Sequence, residues 1–188
     1  MSKDSTYNTE PEPTDASLMI MVGEGNETAF ESLVRRHEDS VFRLASRILN
    51  GNKTEARDVA QEVFIRLWEK PRAWKPTARF TTWLYRVTTN RALNRLRSAK
   101  LKSFFSLTDY TSDYFPSSDE TPDQRMTREE DEVHFEEKFN KLPARQKAAL
   151  HLRYREDMSI TEVADALGVS IKSVESMLFR AKKTLRES

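Results

Sequence analysis

The 188-residue sequence contains no cysteine. This excludes disulfides, thiolate metal centres and a cysteine nucleophile. Only four glycines are present, too few for a sheet-rich fold that turns tightly many times. The three histidines, His37, His134 and His151, stand far apart, and a lone histidine is usually structural or solvent-facing. No metal-ligand spacing, nucleophile arrangement or phosphate-cradling glycine loop accompanies them. The expectation is a protein that is not an enzyme and that uses no metal and no cofactor. No stretch approaches the roughly 18 to 20 apolar residues of a membrane span. The opening MSKDSTYNTEPEPTDAS has no apolar signal core behind a basic start. Together these absences point to a cytoplasmic chain with no membrane insertion.

What the chain does contain is charge. Charged residues make up 32% and hydrophobic residues 37%, a balance expected of small helical domains with much surface per residue. The net charge of +1 conceals a strong order. From Lys70 to Thr108 there are ten basic residues and no acid; from Asp109 to Glu137 there are eleven acids against two arginines; from Lys138 onward the count is eleven basic to six acidic. Two basic modules flank an acidic connector.

Apolar periodicity predicts helices throughout and no convincing strand, so the fold class is all-α. Residues 1–15, with Pro11 and Pro13, read as a disordered tail. A short and a long helix follow, separated at Gly23 and Gly25 and stopped at Asn50-Gly51. Thr54 is the expected N-cap of the next helix, whose buried stripe is Ala56, Ala60, Val63 and Leu67. The segment PRAWKPTARF reads as a loop in which Trp74 is either a stacking residue or a plug. A long helix is expected from Thr81 to Ser103, ahead of a flexible acidic linker rich in Ser, Thr, Asp and Pro. The domain reading is 1–15 tail, 16–103 first domain, 104–133 linker and 134–188 second domain.

The second domain carries the most specific local signal. With Ile160 as position 1, Ala164 falls at 5, Gly168 at 9 and Val174 at 15. These are the tight positions of a helix-turn-helix: a small residue at the crossing, glycine in the left-handed turn and a β-branched residue packing the second helix back. Ser159 and Glu162 form a capping box, and Ser170 caps the second helix. Lys172, Ser173, Ser176 and Arg180 lie on that helix's outer face, as phosphate and base-edge contacts require.

The first domain offers a different surface. Trp83, Arg86, Asn90, Asn94 and Arg97 share one helix face, with Arg79 beside it. An aromatic, guanidiniums and carboxamides together can stack on an unpaired base, bond base edges and hold phosphates. In the preceding DVAQEVFIRLW, burial of the apolar stripe leaves Asp58, Gln61, Glu62, Ile65, Arg66 and Trp68 outside, a mixed apolar and charged surface that suits a protein partner.

DVAQEVFIRLW, FTTWLYRVTTNRALNRLR and KLPARQKAALHLRYREDMSITEVADALGVS, in that order, resemble the extracytoplasmic-function (ECF) group of bacterial RNA polymerase sigma factors in the sigma-70 family. The resemblance covers about residues 25–102 (region 2) and 138–187 (region 4), with no region 3 between. It implies that Asp58, Gln61, Glu62, Arg66 and Trp68 contact core polymerase at the β′ clamp helices. It implies that Arg79 and the Trp83–Arg97 face melt and read the −10 element, and that region 4 reads the −35 element. It also implies that the acidic linker threads the polymerase near its RNA path, where negative charge can mimic nucleic acid, that the β subunit is a further partner, and that an anti-sigma factor holds the free protein. The alternatives are a self-sufficient dimeric helix-turn-helix regulator and an adaptor built around the acidic linker; neither accounts for the DVAQEVFIRLW helix.

Two departures stand out. Arg57 occupies a place where relatives commonly carry an acid, and Glu175 and Met177 lie where many relatives carry basic residues. A carboxylate accepts from cytosine N4 and repels misplaced phosphate. Glu175 is therefore expected to contribute selectivity at some cost in affinity. Glu175→Lys should strengthen binding to many −35 sequences and blur discrimination among them in a competition binding assay; unchanged discrimination would make Glu175 a bystander.

Overall fold

Thr14 starts the chain's first helix by accepting the Ser17 amide hydrogen on its hydroxyl, and similar polar caps begin most of the helices that follow. In a computed structural model of the protein, residues 12–106 and 128–187 are described, those of 102–106 and 128–134 by backbone alone. The expected N-terminal tail and most of the expected acidic linker lie outside the described residues.

Among the described residues the secondary structure is eight α-helices and one 3-10 turn. The first domain holds α1 (Asp15–Gly23), α2 (Glu27–Ile48), α3 (Lys53–Glu69), the turn Pro71–Ala73 and α4 (Phe80–Ser106); the second holds α5 (Arg128–Lys141), α6 (Ala144–Tyr154), α7 (Ile160–Leu167) and α8 (Ile171–Arg186). The break after α2 falls where expected: Asn50 and Gly51 both take positive φ, 56° and 81°, ending the helix. The cap of α3 does not. Asn52, not Thr54, accepts the Glu55 amide hydrogen at 3.0 Å and the helix begins at Lys53. Asparagine caps at least as well as threonine, and it stands first after the Gly51 turn. The buried side of α3 is also broader than the expected stripe. Ala56, Val59, Val63, Phe64 and Leu67 are buried and Ala60 only half-buried, because α3 packs against both α2 and α4.

Leu33, Val41, Leu44, Ile48, Val59, Val63, Leu67 and Leu84 fill the core of the first domain; Ala148, Leu152, Val163, Val174 and Ala181 fill that of the second. Burying one such aliphatic side chain contributes about 1.5–3 kcal/mol, so each small domain has its own nucleus. The histidines serve structure. His37 Nε2 lies 2.9 Å from the Asp15 carboxylate and His151 Nε2 3.2 Å from that of Glu156. Both histidines are buried, not solvent-facing, while the side chain of His134 is outside the described set.

Periodicity gives no hint of how the domains meet, yet α6 packs on α2 and α7 on α4. Lys147 of α6 is almost fully buried at this seam. It donates to the Asn50 carboxamide oxygen and, at 2.8 Å, to the Asn140 carbonyl. Burial, with Arg47 nearby, lowers its pKa to about 8, against an opposing pull from Glu136. Arg47 donates to both carboxylate oxygens of Glu136 at 2.5 Å and lies 5.0 Å above the Phe139 ring. The Tyr85 hydroxyl on α4 donates to Glu156 at 2.5 Å, and Arg79 donates to Glu162 at 2.6 Å. Burial and Glu156 together raise the Tyr85 pKa, so the phenol remains a donor at neutral pH.

Glu156 therefore ties Tyr85 of the first domain to His151 of the second. Burial pushes its pKa up, but hydrogen bonds from His151 and Tyr85 outweigh this and bring it down to about 2 from 4.5. A carboxylate with a depressed folded pKa stabilises the folded form above its unfolded pKa and loses that contribution as pH falls through the folded value. The seam should thus hold at pH 5 and above and loosen between about 4.5 and 2. Small-angle scattering across this range should show the particle expanding, and Glu156→Gln should flatten the response.

Candidate nucleic-acid interface

The helix-turn-helix forms as its spacing predicts. Ser159 Oγ accepts the Glu162 amide hydrogen while the Glu162 carboxylate accepts from the Ser159 amide, closing the capping box. Gly168 ends α7 in the left-handed region at φ 63°, ψ 43°, a conformation that a residue with a Cβ resists. Ser170 caps α8 by accepting from Ser173. Val174 is fully buried, and α8 packs on both α6 and α7.

On α8 the buried residues are Val174, Met177, Leu178 and Ala181, which leaves Lys172, Ser173, Glu175, Ser176 and Arg180 exposed on the outer face. Met177 is 7% exposed and belongs to the core edge, so only Glu175 departs from the polar and basic character of this face. Ser170, Lys172, Ser173, Ser176, Met177 and Arg180 line a shallow open groove along the start of the helix. Phe179, 71% exposed, stands on the same helix. The signal that could have singled it out is its place off the 174, 177, 178, 181 series of buried residues.

On α4, Asn90, Asn94 and Arg97 are exposed along one face, and Arg97 donates to the Asn94 carboxamide oxygen at 3.3 Å. Arg86 is exposed on the same face, its guanidinium 4.0 Å from the position a Cβ on Gly168 would occupy. Trp83 is half-buried and stacked on Phe80, with ring centroids 6.1 Å apart. It therefore presents one edge of a supported aromatic surface and not a free ring. Arg79 lies just ahead of α4, paired with Glu162 of α7. That pairing and the capping box, whose backbone contribution is the larger, lower the Glu162 pKa. Trp74 is a plug: it is buried and its indole N–H donates to the Ala78 carbonyl at 3.1 Å, closing the loop before α4.

On α3 the outward residues divide in two. Gln61, Ile65 and Trp68 are exposed, with Trp68 tilted against Phe30 at 5.2 Å between centroids, and Arg66 is half-buried. Asp58 and Glu62 instead belong to an ionic row facing α4. Glu62 accepts from Arg95 and, at 3.1 Å, from Arg91; Arg95 also reaches Glu55 at 2.8 Å and Asp58 at 3.8 Å. Asp58 and Glu62 stay partly exposed on the outer side of α3 while also meeting these arginines, a pairing that the spacing within α3 does not predict.

Two family models cover these two surfaces: sigma-70 region 2 matches residues 33–101 and sigma-70 region 4 matches residues 135–185. The ECF RNA polymerase sigma factor SigE of Mycolicibacterium smegmatis is 32% identical over 178 residues, covering 94% of this chain and 68% of that protein. This chain is an ECF RNA polymerase sigma factor. The similar SigW of Bacillus subtilis is 28% identical over 174 residues, covering 88% of this chain and 91% of its own. Among solved structures, CnrH in complex with the cytosolic domain of CnrY superposes with a TM-score of 0.61 at 25% identity, covering 91% of this chain and 94% of CnrH.

As a sigma factor the protein directs promoter-specific initiation of transcription. Its region 2 bears the α4 face and the α3 surface, and its region 4 bears the helix-turn-helix. Among the described residues no helix is long and apolar enough to cross a membrane, and no group of three or more acidic or histidine side chains could hold a metal ion.

Proposed function

We propose that α4 melts and reads the −10 element through Arg79, Trp83, Arg86, Asn90, Asn94 and Arg97, and that α8 reads the −35 element as duplex through Lys172, Ser173, Glu175, Ser176 and Arg180. The outer surface of α3, with Asp58, Gln61, Glu62, Arg66 and Trp68, docks on core polymerase. The observation that carries this reading is the pairing of an acid-free α4 bearing exposed Asn90, Asn94 and Arg97 with a capped second helix of the helix-turn-helix whose outer face is exposed among the described residues. Strand separation requires bases held out of the stack at a cost of a few kcal/mol, and an aromatic surface such as Trp83 on Phe80 offsets part of it. The protein performs no chemistry of its own; the polymerase does. It acts in the cytoplasm, where polymerase and promoters are, and an anti-sigma partner holds it inactive.

This assignment makes the α7–α4 contact a restraint. Elements centred near −10 and −35 are separated by about 25 base pairs, which at about 3.4 Å per pair is roughly 85 Å of duplex. Helix α8 follows directly from α7 and is 16 residues long, about 24 Å by helical rise. With Arg79 on Glu162 and Arg86 beside Gly168, the two surfaces cannot reach both elements at once. Polymerase binding must therefore separate region 4 from region 2, and the seam supplies the cost of doing so.

In vitro transcription with purified core polymerase and candidate promoters is the test. The full chain should support promoter-dependent initiation, and Arg86→Ala and Asn90→Ala should impair open-complex formation while leaving core binding intact. Tight dimeric binding to duplex DNA without polymerase, together with no initiation, would overturn the reading.

A further inference from the structure

An ionic row joins α3 to α4 beside the proposed docking surface. Glu55, Asp58 and Glu62 succeed one another at i, i+3 and i+7, one stripe of α3, and Arg91 and Arg95 stand at i and i+4 on α4. Three carboxylates on one stripe repel each other. The two guanidiniums offset that repulsion by bridging: Arg95 spans Glu55 and Glu62, while Arg91 takes the second oxygen of Glu62. The bond to Glu62 is the main reason the Arg95 pKa is raised, against a smaller opposing effect of burial. Asp58 stands farther from Arg95, at 3.8 Å, and its carboxylate is half-exposed.

We propose that Arg91 and Arg95 are positioning residues for polymerase docking, holding the α3 carboxylate row in its docking geometry from the DNA-reading helix. The inference rests on the proposal that α3 docks on core polymerase. A planar guanidinium holds two carboxylates in a fixed fork geometry, whereas a flexible ammonium bridges them without setting their orientation. The side chains of this row are all half-exposed, where isolated ion pairs add little to stability. Their value lies in order: side chains set before docking need not be immobilised during it. Arg91 and Arg95 also leave the face that carries Asn90, Asn94 and Arg97 and turn toward α3, so they are not promoter contacts.

The test is core polymerase affinity, measured with the full chain well below its thermal midpoint. Arg95→Gln should weaken core binding by about three- to tenfold, the size expected when side chains must be ordered on docking. Arg95→Lys should lie between Arg95→Gln and the unaltered chain. Arg95→Gln should cost little more when Glu62 is already changed to Gln, since both remove the same strut. Once holoenzyme is formed, the salt dependence of promoter binding should not change with Arg95→Gln. Asp58→Asn separates the two claims. If Asp58→Asn weakens core binding and Arg95→Gln does not, or tightens it, the positioning role is wrong. A shallower salt slope with Arg95→Gln would make Arg95 a phosphate contact and likewise overturn it. If Asp58→Asn leaves core affinity unchanged, the docking assignment fails and the inference with it.

Discussion

The seating of α7 on α4 is the constraint on which the rest of this molecule depends. It joins the helix-turn-helix of region 4 to the long helix of region 2 and sets how close the two proposed reading surfaces stand. The polar links across the seam are few. An exposed pair such as Arg79–Glu162 is worth about 0–1 kcal/mol, whereas a hydrogen bond to a charged group such as Tyr85–Glu156 is worth about 1.5–3 kcal/mol. A seam of this strength favours one arrangement without locking it. A partner that binds the separated arrangement better can shift the population.

Several seam residues carry two tasks, which explains why the surfaces are linked and not merely adjacent. Glu162 closes the capping box that starts α7 and also receives Arg79. Glu156 satisfies both Tyr85 and His151. Lys147, buried in α6, satisfies the carboxamide oxygen of Asn50, whose left-handed backbone ends α2. Separation of the domains leaves Glu162 its cap but strips Lys147 and Glu156 of partners across the seam, where an unsatisfied buried polar group costs about 1–3 kcal/mol unless water reaches it.

Local features were legible in the sequence, and long-range ones were not. The helix-turn-helix could be read because its caps, its left-handed glycine and its packing residues lie within thirty residues and constrain one another. The α4 face was legible because one helix carries it all. The Asn52 cap was missed because Asn52 and Thr54 are both competent and only the Gly51 turn decides between them. Met177 stands three residues after Val174, on the packed side of α8, so its departure from the basic residues of relatives leaves the outer face untouched. The pairing of Glu62 with α4 is hidden from the sequence because its partners, Arg91 and Arg95, lie on another helix, 29 and 33 residues away. The seam was illegible for the same reason. Tyr85 and Glu156 are 71 residues apart, and no periodicity in either helix encodes their meeting.

The central claim is that the contact between α7 and α4 must break for both promoter elements to be read. The direct measurement is the distance between one spectroscopic label on the outer face of α4 and one on α8, taken for the free chain, the holoenzyme and the promoter complex. The account predicts a short distance in the free chain and a separation on the scale of the −10 to −35 spacing in the promoter complex. An unchanged short distance in a complex that initiates transcription would contradict it.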